Sequence, residues 1–225
     1  MKRTLVEVHG IQVKGGYMRI RAQRILRPSA ALTLGVALVL LMVFVPAASG
    51  QAKHARWDII SLVGGGFPGP ANPGGVASAL APDNTKITLT GSGTFVAPAG
   101  HNGGSNAVTG GGNWTTFSAA DVATASGTYE VKELVTFVFA NFQSQTPTLT
   151  DNIGDTNERA NGTAVLRIEF SDGQSGVLVV GCHGPGAPAG IFEGIATTKG
   201  FKTYDRVQAP AGGFDANRTI FHVPS

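Results

Sequence analysis

Two glutamates stand in strand-like segments at positions where the alternation of side chains predicts apolar residues. Glu133 lies between two valines in 131–135, and Glu193 lies between two isoleucines in 191–195. A carboxyl group inside a β-barrel has a raised pKa unless it is paired, so it can serve as a general base or anchor a ligand. The alternative is structural: a β-bulge near Glu133, or glycines that bend the strand at Glu193, would turn these carboxylates outward.

Cys182 and His183 are neighbours, and these two residue types together suggest a thiolate–imidazole nucleophile. Along a strand, however, adjacent side chains point to opposite faces, so the two cannot form a dyad without a bulge. Cys182 is predicted to be a buried residue at a strand end, with His183 at the junction with the following loop. No catalytic residue is assigned. The candidate ligand-binding residues of the barrel interior are Glu133, Glu193, Tyr129 and His183.

The five histidines are scattered and form no short paired motif, so no metal site and no cofactor are predicted. The segment 151–158 is rich in Asp, Asn and Glu oxygens and suggests calcium, but its spacing differs from that of an EF-hand loop. Turns in which Asp and Asn side chains bond to their own backbone explain the same composition.

The formal charge of +3 is distributed unevenly along the chain. Seven of the 17 basic residues precede residue 30, and residues 51–225 contain 10 basic residues against 13 acidic ones, a balance of 10 − 13 = −3. Nucleic-acid binding requires clustered Lys and Arg side chains that displace counterions from phosphates. Residues 51–225 contain no such cluster, so no nucleic-acid partner is predicted.

Residues 1–50 have the pattern of an export signal. Basic residues lead into an uncharged apolar run, Ala30–Val45, and small residues follow it in 46–50. This order predicts a secretory signal peptide. The alternative is an uncleaved membrane anchor formed by residues 30–48, whose length approaches the roughly 20 residues of a spanning helix. In both cases residues 51–225 are expected to be secreted or to lie in the periplasm or cell envelope, with membrane contact only through an uncleaved N-terminal segment.

The composition of residues 51–225 is typical of an all-β domain. This part contains 27 Gly, 19 Thr and 14 Val but only 7 Leu. Val and Thr favour strands and Gly favours turns, whereas Leu favours helices. A single cysteine excludes an intrachain disulfide, so a packed core must stabilise the fold. We predict one antiparallel β-barrel of about eight strands, with a β-sandwich as the alternative.

Alternating apolar and polar residues locate the strands of this domain. The turn dipeptide Asp172-Gly173 between two such segments predicts a β-hairpin. The Gly-rich segments 64–75 and 100–113 are predicted to be loops, and residues 118–125 have a weak helical pattern. The predicted strands are 57–63, 86–97, 127–140, 163–171, 175–182, 190–198, 201–207 and 218–223.

The segment Gly190-Ile-Phe-Glu-Gly194 resembles the G-x-F-x-G stretch of allene-oxide-cyclase-like barrels, and Gly91-Ser-Gly-Thr-Phe95 is similar to strand starts in dirigent-type barrels. The resemblance implies an eight-stranded antiparallel barrel around an apolar cavity. The catalytic positions of the cyclases have no counterparts here, so their activity is not carried over. The C-terminal half also resembles uncharacterised exported bacterial proteins with a similar Phe-Glu-Gly-Ile run and a closing Asn-Arg-Thr-Ile-Phe-His-Val.

The sequence does not specify a substrate, and three functions remain open. The first is a non-enzymatic exported β-barrel that binds a small apolar ligand or serves as an envelope component. The second is an isomerase or cyclase that acts on an apolar substrate through Glu133 or Glu193. The third is a surface interaction module, which a large exposed apolar patch would favour.

Overall fold

The structure is a computed structural model that describes residues 53–63, 69–97, 105–145 and 149–224. The prediction for residues 1–50 lies outside the described residues, as do parts of the two predicted loops. Within the described part, no helix is long and apolar enough to cross a membrane.

Thirteen strands and one short 3-10 helix, Thr156–Glu158, make up the secondary structure of the described residues. The strands are β1 (Lys53–Leu62), β2 (Asn72–Pro73), β3 (Ala77–Leu80), β4 (Lys86–Leu89), β5 (Ser92–Ala97), β6 (Val108–Phe117), β7 (Ala123–Phe142), β8 (Arg159–Phe170), β9 (Ser175–Cys182), β10 (Gly194–Lys199), β11 (Lys202–Tyr204), β12 (Arg206–Val207) and β13 (Gly213–His222).

Six of these strands form a closed antiparallel ring. Following the backbone hydrogen bonds, β1 pairs with β5, then β6, β7, β8 and β13 follow in turn, and β13 returns to β1. The predicted antiparallel all-β barrel is therefore confirmed. Six strands close the ring itself, and most of the remaining strands extend the sheet outside it.

Apart from β2, which pairs with β1, the strands outside the ring form an extension attached to β6 and β8. One arm runs from β6 through β4 and β3 to β12, and the other runs from β8 through β9 and β10 to β11. Only Asp205 separates β11 from β12, so the chain itself joins the two arms. The ring and the extension share one apolar core, since a single cluster includes Phe95 and Phe221 of the ring and Leu178 and Ile195 of the extension.

Three phenylalanines fill the ring. Phe137 of β7 contacts Phe95 of β5 and Phe221 of β13, with ring centroids 4.9 Å and 5.1 Å apart. Phe95 and Phe221 are fully buried and are themselves 6.4 Å apart. Because β7 pairs with neither β5 nor β13, these contacts cross the interior. The middle of the ring is therefore occupied by these three aromatic side chains.

The hairpin predicted at Asp172-Gly173 is confirmed, because Ser175 pairs with Glu169 and Gly173 adopts a φ of 84°. The loop prediction for 100–113 is wrong over its last six residues, which belong to β6. A Cβ at Gly112 would stand 2.0 Å from the Thr90 carbonyl oxygen. Glycine is therefore used here for close packing of β6 against the connection between β4 and β5 rather than for a loop.

The weak helical pattern at 118–125 is also wrong. The Asp121 N–H donates to the Ser118 carbonyl in a tight turn, and Asp121 has a φ of 61°. β7 begins immediately afterwards, at Ala123. Small residues such as Ala and Ser are compatible with both helix and turn, so the pairing of β6 with β7 decides the local structure.

Candidate functional site

Two strands that leave the same edge of β8 create the candidate site. β13 pairs with β8 at Arg159 and Ala160, and β9 pairs with the same edge from Gly162 onward. β9 and β13 must therefore separate beyond this point. We call the gap between the end of β9 and the middle of β13 the fork.

Glu193, the residue before β10, bridges the fork. One carboxylate oxygen accepts a hydrogen bond from the backbone N–H of His183, just after β9, and the other accepts from the N–H of Thr219 in β13 at 2.8 Å. The Thr219 hydroxyl also donates to the Gly181 carbonyl oxygen across the same gap. The carboxylate thus replaces hydrogen bonds that two directly paired strands would have made.

The position in the fork shifts the acidity of Glu193. Burial raises its pKa to about 7. The hydrogen bonds from the Thr219 and His183 amides and the positive charges nearby, mainly that of Arg218, act in the opposite direction but are weaker. Glu193 therefore changes its protonation state near neutral pH, as a group suited to proton transfer or to sensing a ligand does.

The imidazole of His183 lies beside the carboxylate and is exposed. Its Nδ1 is 2.6 Å from the carbonyl oxygen of Ile191. A carbonyl oxygen only accepts, so Nδ1 carries a proton, and in the neutral form of the ring the lone pair is on Nε2. The chain therefore fixes the tautomer of His183.

A half-open cleft adjoins Glu193 and His183. It has about 30 Å³ of space, which is room for about two water molecules. Gln143 and Arg218 complete its polar side. Its apolar floor belongs to a second hydrophobic cluster, separate from the main core, and consists of Ile60, Leu62, Leu149 and Ile220.

The other two predicted site residues lie elsewhere. Glu133 sits at a β-bulge of β7 and pairs with Arg167 at 2.9 Å, with 24% of its side chain exposed. Tyr129 is buried in the main core, and its hydroxyl donates to the Thr90 carbonyl oxygen at 2.9 Å. Burial raises the pKa of Tyr129 well above its ordinary value. The structure thus brings together Glu193 and His183 but not Glu133 and Tyr129.

Cys182 and His183 point to opposite sides of the strand end. Cys182 is buried, and Gln143 donates to its sulfur at 3.3 Å, whereas His183 is exposed. Burial, and secondarily the negative charge of Glu193, raise the pKa of the Cys182 thiol well above its ordinary value. The thiol is a poor nucleophile in this environment.

The oxygen-rich segment 151–158 uses its carboxylates for local turns. Asp151 accepts from the N–H groups of Ile153 and Gly154, and Asp155 accepts from that of Asn157. Within the described ranges, no group of three or more His, Cys, Asp or Glu side chains is arranged to hold a metal ion.

Sequence reasoning missed Arg218, Gln143 and a buried pair formed by Asp151 and His222. Arg218 and Gln143 enter the cleft from β13 and from the end of β7, at separations along the chain that no local pattern reveals. Asp151 and His222 are 71 residues apart in sequence and 2.9 Å apart in space. Only the pairing of the last strand with β1 and β8 could have indicated these contacts.

Comparison of the chain with protein-family models, with curated proteins and with solved structures found no match. The resemblance to allene-oxide-cyclase-like and dirigent-type barrels therefore stays a prediction. The fold and the fork define an all-β barrel protein with a cleft that has both polar and apolar lining residues.

Proposed function

We propose that residues 51–225 form an exported, non-enzymatic β-barrel protein of the cell envelope or extracellular space that binds a small apolar group in the cleft beside Glu193. One observation carries this proposal: Glu193, His183 and Arg218 line the same cleft as the apolar residues of the second hydrophobic cluster. Small-molecule sites typically combine a largely apolar lining with a few converging polar groups.

Because aromatic side chains fill the ring, we place the proposed site outside the barrel interior. Phe95, Phe137 and Phe221 occupy the space in which a ligand of a hollow barrel would lie. The cleft is small, so we expect it to take the end of an apolar chain or one small polar head group. A larger ligand would extend from the half-open mouth into solvent.

The hydrogen bonds of Glu193 favour binding over catalysis. Both of its oxygens already accept backbone N–H groups, so abstracting a substrate proton would weaken contacts that connect β9 with β13. Glu133, the other candidate base, is held by Arg167. A ligand that donates a hydrogen bond can instead share an oxygen of Glu193 without breaking the fork.

Amide chemical shifts provide a direct test of the cleft. We expect butan-1-ol, titrated into the ¹⁵N-labelled protein, to shift the amide resonances of His183 and Thr219, because both N–H groups bond to Glu193. Leu149→Phe, which fills the cleft, should remove the shifts. Unchanged His183 and Thr219 resonances in the wild-type protein would reject the cleft as a binding site. Native mass spectrometry with solvent extraction of the purified protein then identifies a bound natural ligand.

An isomerase or cyclase activity is the second candidate, favoured by the pKa of Glu193 near 7 and the Nε2 lone pair of neutral His183. Such a site would exchange the α-protons of a ketone with solvent. Deuterium incorporation into cyclohexanone, followed by NMR, should then be faster with the wild-type protein than with Glu193→Gln. Equal rates for the two proteins and for buffer would reject this candidate.

A further inference from the structure

Two phenylalanines of β7 remain exposed at one end of the ring. Phe139 and Phe142 are 43% and 41% exposed, and their rings contact each other edge to face with centroids 5.1 Å apart. Exposed apolar side chains that form a group mark contact surfaces more often than single ones do. We call these two phenylalanines the aromatic rim.

The aromatic rim lies at the end of the ring where the described chain begins. β5 and β7 are both antiparallel to β6 and therefore run parallel to each other. Phe95 contacts Phe137, so Ala97 and Phe139, each two residues further along, lie toward the same end of the ring. Lys53 pairs with Ala97. From the rise per residue along a strand and the distance between neighbouring strands, we place the aromatic rim within roughly 20 Å of Lys53.

The number of residues before Lys53 limits how far Lys53 can lie from a membrane that holds residues 30–45. Only residues 46–52 separate Val45 from Lys53. A fully extended chain of that length spans at most about 25 Å. With residues 30–45 held in a bilayer as an anchor, the ring end that carries Lys53 lies within about 25 Å of the membrane surface.

We propose that the aromatic rim inserts into the interface of a lipid bilayer, with Phe139 and Phe142 among the head groups. Aromatic and aliphatic side chains favour this region when they project from a polar surface. Residues 51–225 carry a net charge of −3, so electrostatic attraction to anionic lipids does not drive the contact. The expected partner is a bilayer of phospholipids without net charge. This contact is additional to any that residues 1–50 make.

The domain without its N-terminal segment is suitable for the test. All strands of the ring and the extension, and both hydrophobic clusters, lie within residues 53–224. Residues 51–225 therefore contain everything that the described fold uses, and removing the apolar run removes its own affinity for lipid.

Flotation of residues 51–225 with phosphatidylcholine vesicles tests the proposal. We expect the protein to float with the vesicles, and the double variant Phe139→Ser/Phe142→Ser to lose at least about tenfold in partitioning. The matched control is Phe201→Ser/Phe214→Ser, which removes two exposed phenylalanines away from the rim. This control should float like the wild-type protein.

A tryptophan reporter tests the contact without removing apolar surface. The native tryptophans, Trp57 and Trp114, are buried and give a constant background. We expect Phe139→Trp fluorescence to shift to the blue with vesicles and to be quenched by brominated lipid, whereas Phe214→Trp should show neither change.

Three results would overturn the proposal. The first is a wild-type domain that stays unbound and a Phe139→Trp signal that vesicles leave unchanged. The second is an equal loss of flotation in the rim variant and the control. The third is sedimentation velocity showing a dimer, without lipid, that Phe139→Ser/Phe142→Ser dissociates, because the rim would then contact a second copy of the chain.

Discussion

His222 of β13 donates from Nε2 to the carboxylate of Asp151 across 2.9 Å, and only 4% of the His222 side chain and none of the Asp151 side chain are exposed. The pair ties the segment after Leu149 to the last strand of the ring. Asp151 also accepts from two backbone N–H groups of its own turn, so one carboxylate organises both the turn and its attachment.

Asp151→Ala should destabilise the fold by about 2–3 kcal/mol, because it leaves the buried Nε2 of His222 without its partner. The free energy of unfolding from urea titration at neutral pH measures the effect. Asp155→Ala is the matched control: Asp155 also bonds a backbone N–H of a turn but is exposed, so its removal should cost much less. Equal losses in the two variants would contradict a special role for the buried pair.

The same pair predicts sensitivity to acid. Burial acts to raise the pKa of Asp151, but the hydrogen bond from His222 and those from the Ile153 and Gly154 amides outweigh it and lower the pKa below its ordinary value. A lowered carboxyl pKa contributes stability above the unfolded-state pKa, and this is lost as the pH falls through the folded-state value. Unfolding free energies measured below about pH 4 should therefore fall less steeply in Asp151→Asn than in the wild-type protein.

Glu193 predicts the opposite dependence at higher pH. The folded-state pKa of Glu193 is raised from 4.5 to about 7. Its contribution to the free energy of unfolding is therefore fully present below pH 4.5 and is lost as the pH rises through about 7. The shift corresponds to about 3 kcal/mol. Urea titrations between these limits should show this loss in the wild-type protein and a flatter profile in Glu193→Gln. A ¹³C titration of the Glu193 carboxyl with a midpoint near 4.5 would disprove the shift.

Phe221→Ala should cost about 3–5 kcal/mol of unfolding free energy, because Phe221 is fully buried and contacts two other rings across the barrel. Phe214→Ala changes the same residue type in the same strand at a position that is 58% exposed. Thermal and urea unfolding of this second variant should match the wild-type protein within about 0.5 kcal/mol. Similar stabilities of the two variants would show that the ring is not filled as described.

Gly112→Ala should destabilise the domain by about 3 kcal/mol, since the new methyl group would meet the Thr90 carbonyl at 2.0 Å and push the connection between β4 and β5 away from β6. Gly212→Ala adds the same group where no atom lies within 4 Å. Its unfolding free energy should stay within about 0.5 kcal/mol of the wild-type value. A tolerated Gly112→Ala would mean that 108–113 is the loop that its composition predicts.

Local patterns predicted much of the fold but little of the site. Alternation located 127–140 within β7, and the hairpin strand 175–182 matches β9 in both its bounds. The glycines of β6 failed as a loop signal because the close approach that requires them comes from residues distant in sequence: Tyr129 of β7, and Thr90 between β4 and β5. Propensity describes a residue and its neighbours in sequence, whereas this constraint comes from neighbours in space.

The same limit explains the candidate site. Period-2 phase placed both Glu133 and Glu193 inside, but a β-bulge shifts the phase at Glu133 and turns it toward Arg167. Glu193 lies just outside β10, and its environment is created by β9 and β13, which separate from a shared edge. That geometry depends on the order of strands in the sheet, which the sequence pattern does not determine.

The pairing of β1 with β13 has a consequence for the timing of folding. The first and last described strands are neighbours in the ring, so the ring cannot close until residue 222 is available to pair with residue 56. Contacts this distant in sequence slow folding, because a loop of most of the domain must close first. A chain threaded across a membrane from its N-terminus would therefore reach the far side as an open sheet and become a barrel only after its last strand emerged.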